Sequence, residues 1–384
     1  MKFSIEKNEL IKLLKFSDRI INDNRNNSIN PILNFLYLKV SNKESTVTCS
    51  NGITSGLYII NKEKINIENE GNVLVKPKLL LNIINKLKEN TIEFNKVDTS
   101  VLTIKTESFN AQINIVDENS YPSISFDNTN FKKLELSTQI ISKINQKVSW
   151  AALAAGEQTK ILNGIFFDTT TVKNHLSVVA TDSYKLAYLC EPINTDEEFK
   201  FVLDQNILKI VSDTTKVDSE DKPLDFYLDY LNGYKNVLIQ SENMFFLNKT
   251  IEGNYPTSVY NAFNIRINTN IKIDKNEFVL ALERGLILVT GDKNPMVTLT
   301  ISENKVNVEF VSYELGSSEE SVQIDSFEGQ EIKVSLNALF LISLLKAIEQ
   351  NEITIHLESN TKPVIIFNEK DSTFKELVLP MRTN

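Results

Sequence analysis

Apolar residues two apart, then a polar break, then an amphipathic helical pattern: this unit occurs three times along the chain. Its copies are FSIEKNELIKLL from Phe3, LELSTQIISKIN from Leu134 and IKIDKNEFVLAL from Ile271. Period two marks a half-buried strand, and spacings of three and four mark one face of a helix. Ser137 and Asp274 stand at the starts of the second and third helices, where a side-chain oxygen can cap free N–H groups. A second strand-to-helix unit also recurs: VLVKPKLLLNIINKL near Val75, FVLDQNILKIV near Val202 and IKVSLNALFLISLL near Val334. Pro77 fits a first helical turn. The copies of this unit lie 127 and 132 residues apart, against 131 and 137 for the first unit.

Other landmarks keep the same period. VTCSNGITSGLYI near Cys49 matches VVATDSYKLAYLC near Thr181, and VEFVSYELGS near Phe310 takes the corresponding place in the last third. Tyr121-Pro122 returns as Tyr255-Pro256. Between the helices lie the alternating runs LNFLYLKV, ILNGIFFD and PMVTLTI, and NTIEFNK with SVLTIKT and EITIHLE with PVIIFNE read as hairpins. Three matched units in one order predict a triplicated α+β domain, each copy with two helices packed on β-sheets of about eight strands. The bounds are 1–130, 131–267 and 268–384.

The helices carry basic stripes. Lys12, Lys15 and Arg19 share one face, with Leu10, Leu13, Leu14 and Ile21 opposite. Lys143 and Lys147 are one turn apart beside Gln139 and Gln146. Lys78 with Asn82 and Lys86, and Lys209 with Gln205, continue the theme; Arg284 and Lys346 are the main cations of the third domain. Arg25 follows in an Asn-rich loop, placed to touch the same ligand. On any one helix such a stripe is ordinarily a solvated face. Its recurrence points to a common channel around a polyanion. Six helices about 10 Å across make a ring with an opening of only about 9 Å, whereas twelve leave about 28 Å. Duplex DNA, about 20 Å wide, passes only the larger ring. Two chains joined head to tail therefore suffice; three would also close.

Net charge is −9, which taken alone opposes nucleic-acid binding, since non-specific affinity comes from cations on phosphates. A ring answers this, because it holds DNA by topology, and its outer surface can be acidic while its lining is basic. Cys49 and Cys190 sit in apolar strands and read as structural thiols of a reducing cytosol. The first residues lack a signal-peptide pattern, and the longest apolar run, Ala338 to Ile342, is far too short to span a bilayer. A cytoplasmic protein without membrane contact is expected. His175 and His356 have no metal-ligand pattern around them, VTGDKNP at Val289–Pro295 lacks phosphate-loop spacing, and no cofactor motif occurs. Asp168 and Asp182 read as structural strand-end carboxylates. No metal, no cofactor and no enzyme activity are therefore expected.

Four short pieces in order, LNG at Leu162–Gly164, ATDSYKLA at Ala180–Ala187, EGNYP at Glu252–Pro256 and VLPMR at Val378–Arg382, give the full-length chain a family resemblance. It resembles the bacterial DNA polymerase III beta subunit family, the sliding clamps. The resemblance implies three DNA-clamp domains in a head-to-tail homodimeric ring around duplex DNA. It also implies one peptide pocket per chain for the replicative polymerase alpha subunit, the clamp loader, repair polymerases and ligase, each entering through a short linear motif. Matched motif by motif, the pocket takes Leu162, Thr181, Ser183, Tyr184, Lys185, Leu186 and Pro256. The third domain adds Asn337, Phe340, Val378, Leu379, Pro380, Met381 and Arg382. The dimer contact is expected to pair Phe109 and Ala111 with Leu288 and Val289. The chain departs from the family pattern in three places. Gly-His-Arg becomes Ser183-Tyr184-Lys185, an Arg after the EGNYP-type motif becomes Tyr260, and the hydrophobic end becomes Thr383-Asn384. These changes shift pocket specificity. The competing classes are a β-rich interaction scaffold without DNA encirclement and a nucleic-acid-processing enzyme; the second requires an acidic or metal cluster that the sequence does not display.

Overall fold

The computed structural model describes residues 1–22, 30–154, 159–215, 221–229, 233 and 235–382. Among these lie six α-helices: α1 Lys7–Ile21, α2 Pro77–Lys86, α3 Thr138–Lys147, α4 Gln205–Thr215, α5 Lys275–Leu286 and α6 Ala338–Ala347. Each begins where a strand ends, as the pattern predicts. The strands Lys2–Glu6, Phe131–Ser137 and Thr269–Asp274 lead into α1, α3 and α5, and Gly71–Val75, Lys200–Asp204 and Ile332–Asn337 lead into α2, α4 and α6. Asp274 accepts the Glu277 N–H at 2.9 Å, and Ser137 Oγ accepts that of Ile140 at 3.3 Å. Pro77 opens α2, where its missing N–H costs nothing.

The contacts gather the chain into two compact units, Met1–Ile141 with Asn206–Thr250, and Ser142–Gln205 with Ile251–Asn384. This division differs from the sequence repeats because the sheets run across repeat boundaries. In the first unit, Met244–Lys249 pairs antiparallel with Thr54–Ile59, so strands from two repeats share one eight-stranded sheet. In the second, Lys185–Pro192 pairs with Phe374–Val378 inside a twelve-stranded sheet. The first unit also holds a five-stranded sheet, in which Asn110–Asn114 is an edge strand. In the second, the long strand Gly316–Gly329 pairs with Lys305–Ser312 through Gly316–Gln323, and with Thr269–Asp274 through its later residues.

The apolar stripe of α1 buries Leu10, Leu13, Leu14, Phe16 and Ile20. Phe16 meets Tyr58 of its own repeat, ring centroids 5.7 Å apart, and Phe246 across the seam between the repeats at 5.2 Å. Gly56 makes this seat possible: a Cβ there would lie 2.4 Å from Ile20 Cδ1 and 2.7 Å from Phe16 Cζ. Gly56→Ala should therefore cost about 1–3 kcal/mol by overpacking, read as a lower urea midpoint; an unchanged midpoint would show that α1 is loosely seated. Among the described residues, no helix is long and apolar enough to cross a membrane.

Candidate partner and DNA surfaces

The Thr181–Lys185 turn is closed by its own side chains. Thr181 Oγ1 donates to the Lys185 carbonyl at 2.6 Å and accepts the Ser183 N–H at 3.1 Å. Asp182 Oδ1 accepts the N–H groups of Tyr184 and Lys185, each at 2.9 Å. Ser183 is left-handed, with φ 79°, a conformation that short polar side chains tolerate in turns. The turn throws Tyr184 outward, 64% exposed. Lys185 folds inward instead, its side chain only 13% exposed. Its ammonium donates to the Trp150 carbonyl at 2.8 Å, stands 3.6 Å from Asp182, and faces the Phe340 ring at 4.6 Å and the Trp150 ring at 5.5 Å. Burial pulls its pKa down, and Asp182 opposes that shift.

The C-terminal segment is pinned to this turn. The Leu379 N–H donates to the Tyr184 carbonyl at 2.8 Å, and that of Met381 donates to Ser335 at 2.8 Å. Leu162 and Leu186 belong to one buried cluster with Tyr255, Val259 and Leu377, and partly exposed Ile161, Leu153 and Leu379 pack on it. The hydroxyl of Tyr260 donates to Asp168 at 3.1 Å, and its ring meets the Tyr188 edge at 5.9 Å. Burial works to raise the Asp168 pKa, but hydrogen bonds from Thr171 and Thr170 outweigh it and hold the carboxyl below its ordinary value.

Leu162, Thr181, Ser183, Tyr184, Lys185, Leu186, Phe340, Leu379 and Met381 thus come together in one unit around an apolar patch. Pro256 is exposed at the start of the 3-10 turn Thr257–Phe263, Pro380 is half-buried and Arg382 exposed. Two residues serve the fold. Asn337 spends its side-chain oxygen on the Leu339 and Phe340 N–H groups, capping α6, and Val378 is buried in the ladder opposite Lys185. Sequence reasoning missed Trp150, the lone tryptophan, whose carbonyl and ring hold Lys185. It also missed the Ser335 carbonyl; no sequence signal marks a backbone acceptor.

The basic residues separate into three groups. Lys12, Lys15, Lys78 and Lys209 are exposed. Arg19 is half-buried and donates to the Asp213 carbonyl at 2.6 Å, while Lys143 is exposed but pairs with Glu191 at 3.0 Å. Lys147 does not belong with them. Its side chain is 5% exposed, paired with Asp371 at 2.6 Å and set over the Phe374 ring at 5.1 Å, so it cannot reach a polyanion. Its one-turn spacing from Lys143 suggested a shared face, but the end of α3 turns inward onto the sheet. Arg25 lies outside the described residues.

Of the expected dimer residues, Phe109 and Ala111 are half-buried at and beside the edge strand Asn110–Asn114, and Leu288 is half-buried. Val289 is a correction: it is 2% exposed, packed inside its own chain, while Ile287 two positions earlier is 69% exposed. Among the described residues, no group of three His, Cys, Asp or Glu is placed to hold a metal ion.

Strand-and-helix repeats with exposed lysines on their helices and an apolar patch beside the C-terminal segment define a clamp-type binding protein. Sequence models of the DNA polymerase III beta subunit match the chain in order: the N-terminal domain over residues 1–125, the central domain over 135–257 and the C-terminal domain over 265–382. The chain is 27% identical to the beta sliding clamp of Mycoplasma pneumoniae, covering 100% of both chains. It is 28% identical to that of Streptococcus pneumoniae strain R6, over 100% of this chain and 99% of that one. The crystal structure of the DNA polymerase III beta chain from Streptococcus pneumoniae TIGR4 superposes with a TM-score of 0.91 at 26% identity, covering 100% of both. The chain belongs to the DNA polymerase III beta subunit family. It is a sliding clamp, a non-catalytic processivity subunit.

Proposed function

We propose that two copies close head to tail into a cytoplasmic ring around duplex DNA, each copy made of three clamp domains, 1–130, 131–267 and 268–384. Lys12, Lys15, Arg19, Lys78, Lys143 and Lys209 line the channel and make weak phosphate contacts that permit sliding. The ring tethers the replicative polymerase, clamp loader, repair polymerases and ligase through short apolar peptide motifs. The observation that carries this reading is the patch where the Thr181–Lys185 turn, Phe340 and the C-terminal segment meet over the Leu162 and Leu186 cluster. Its apolar wall accepts a Leu or Phe anchor. Because Lys185 is already satisfied within its own chain, the site recognises the partner by apolar shape and by the exposed Tyr184 ring rather than by a free cation.

Retention on circular DNA after loading, with loss from linear DNA, tests encirclement; equal retention on both would leave an interaction scaffold. Titration calorimetry with a short polymerase C-terminal peptide tests the pocket. Binding should fall at least tenfold with Leu379→Asp, since a carboxylate would then stand in the apolar wall. A folded dimer that ignores the peptide would remove the pocket assignment.

A further inference from the structure

The first unit holds a cavity of about 180 Å³ between α1, the end of α4 and the hairpin turn at Ser241–Met244. Its accessible apolar surface comes from Ile11 and Met244, with the buried Phe16 and Tyr58 behind them. Its cations are Lys12, Lys15, Arg19 and Lys222, and its one acid among the described lining residues is Glu242. Glu242 pairs with Lys222 at 3.2 Å, and Arg19 is partly spent on the Asp213 carbonyl and Thr214. Lys12 and Lys15 have no ion-pair partner among the described residues.

The threefold repeat shows what is different here. Lys143 of α3 stands 131 residues after Lys12, and Lys147 stands 131 after Phe16. In that second copy the protein supplies its own anions, Glu191 to Lys143 and Asp371 to Lys147. In the first copy the matching positions carry none. Ile60 replaces Glu191 at the same spacing. The hairpins align through Met244 opposite Tyr58 and Phe374 opposite Leu189, which puts Ser241 where Asp371 stands. One copy is neutralised internally; the other keeps a void with cations at its mouth.

We propose that this cavity binds a phosphate monoester carrying a single ring, with a pyrimidine nucleotide as the biological form. A void of about 150 Å³ holds one benzene-sized ring, so this one admits a pyrimidine against Ile11 and Met244. Several cations around one mouth favour a phosphate, with more than one negative charge near neutral pH, over a carboxylate. The source is either free nucleotide or the 5′-phosphorylated end of a DNA strand, since a phosphate within a strand is a diester with a single charge. The site stands on the cavity alone and does not require the ring to close or the peptide pocket to work.

The test is titration calorimetry of the full chain with thymidine 5′-monophosphate, thymidine, inorganic phosphate and a short 5′-phosphorylated oligothymidylate. The monophosphate should bind at least tenfold more tightly than thymidine or phosphate. Lys15→Ala, an exposed substitution, should weaken it about tenfold, and Met244→Trp, which fills the void, should abolish it. The 5′-phosphorylated oligothymidylate binding as tightly as the monophosphate assigns the site to a strand end, and binding of the monophosphate alone assigns it to free nucleotide; both uphold the site. Equal affinity for phosphate and monophosphate, indifference to both substitutions, or no binding of either thymidylate form overturns it.

Discussion

Ile287→Asp combined with Leu288→Lys should convert the clamp into a 43.7 kDa monomer by sedimentation and abolish its retention on circular DNA. The expectation starts from unpaired backbone. Asn110–Asn114 ends the five-stranded sheet, and the stretch Gly316–Gln323 has a strand partner on one side only among the described residues. An open edge is a template for another strand, and a head-to-tail ring joins one such edge to the other. Ile287 is the large apolar side chain most exposed beside Leu288, and burying it in a partner stabilises the contact by roughly 1.5–3 kcal/mol. A carboxylate and an ammonium in its place lose that term and add the desolvation of two charges. The ring has two such contacts, so the substitution counts twice. Val289 is unsuited to the test because a charge there would disrupt the monomer's own core. An unchanged dimer would place the contact on other residues.

The strand-to-helix units were legible because each is local. Period two giving way to period three-to-four, with Asp274 and Pro77 at the starts, specifies strand, cap and helix within about fifteen residues. The pairing of Thr54–Ile59 with Met244–Lys249 was not legible, since a seam between residues nearly two hundred apart leaves no periodic trace. That is why the contacts gather the chain differently from its repeats. The candidate site was legible as motif, less so as chemistry. Sequence placed Lys185 in the pocket, but only its surroundings reveal a cation satisfied by Trp150 and Phe340. Lys147 was misplaced because spacing locates a face, but which neighbour covers that face is decided by the tertiary fold.

That covering also explains the second large effect. Glu376 lies on the strand Phe374–Val378, fully buried, and neither carboxyl oxygen has a hydrogen-bond partner. Lys147, whose charge acts on Glu376, is already paired with Asp371 at 2.6 Å. Burial pushes the Glu376 pKa well above its ordinary 4.5, against smaller opposing pulls from Trp150 and Lys147. The folded protein therefore keeps this proton at a pH where the unfolded chain has lost it. Below about pH 4.5 both states are protonated and the group contributes nothing. As pH rises above that value the unfolded state releases its proton first, so stability falls by up to about 1.4 kcal/mol per pH unit until the raised pKa is reached. Gln cannot ionise, so Glu376→Gln should be more stable than the native chain at pH 7, by at most about 3 kcal/mol, and close to it at pH 5. Urea unfolding of both proteins at the two pH values measures the gap. A gap that does not widen with pH would mean that Glu376 is ionised in place and that Lys147 serves two carboxylates. Lys147→Met would then be far more damaging than the loss of the Asp371 pair alone, because two buried negative charges would be left without a counter-ion.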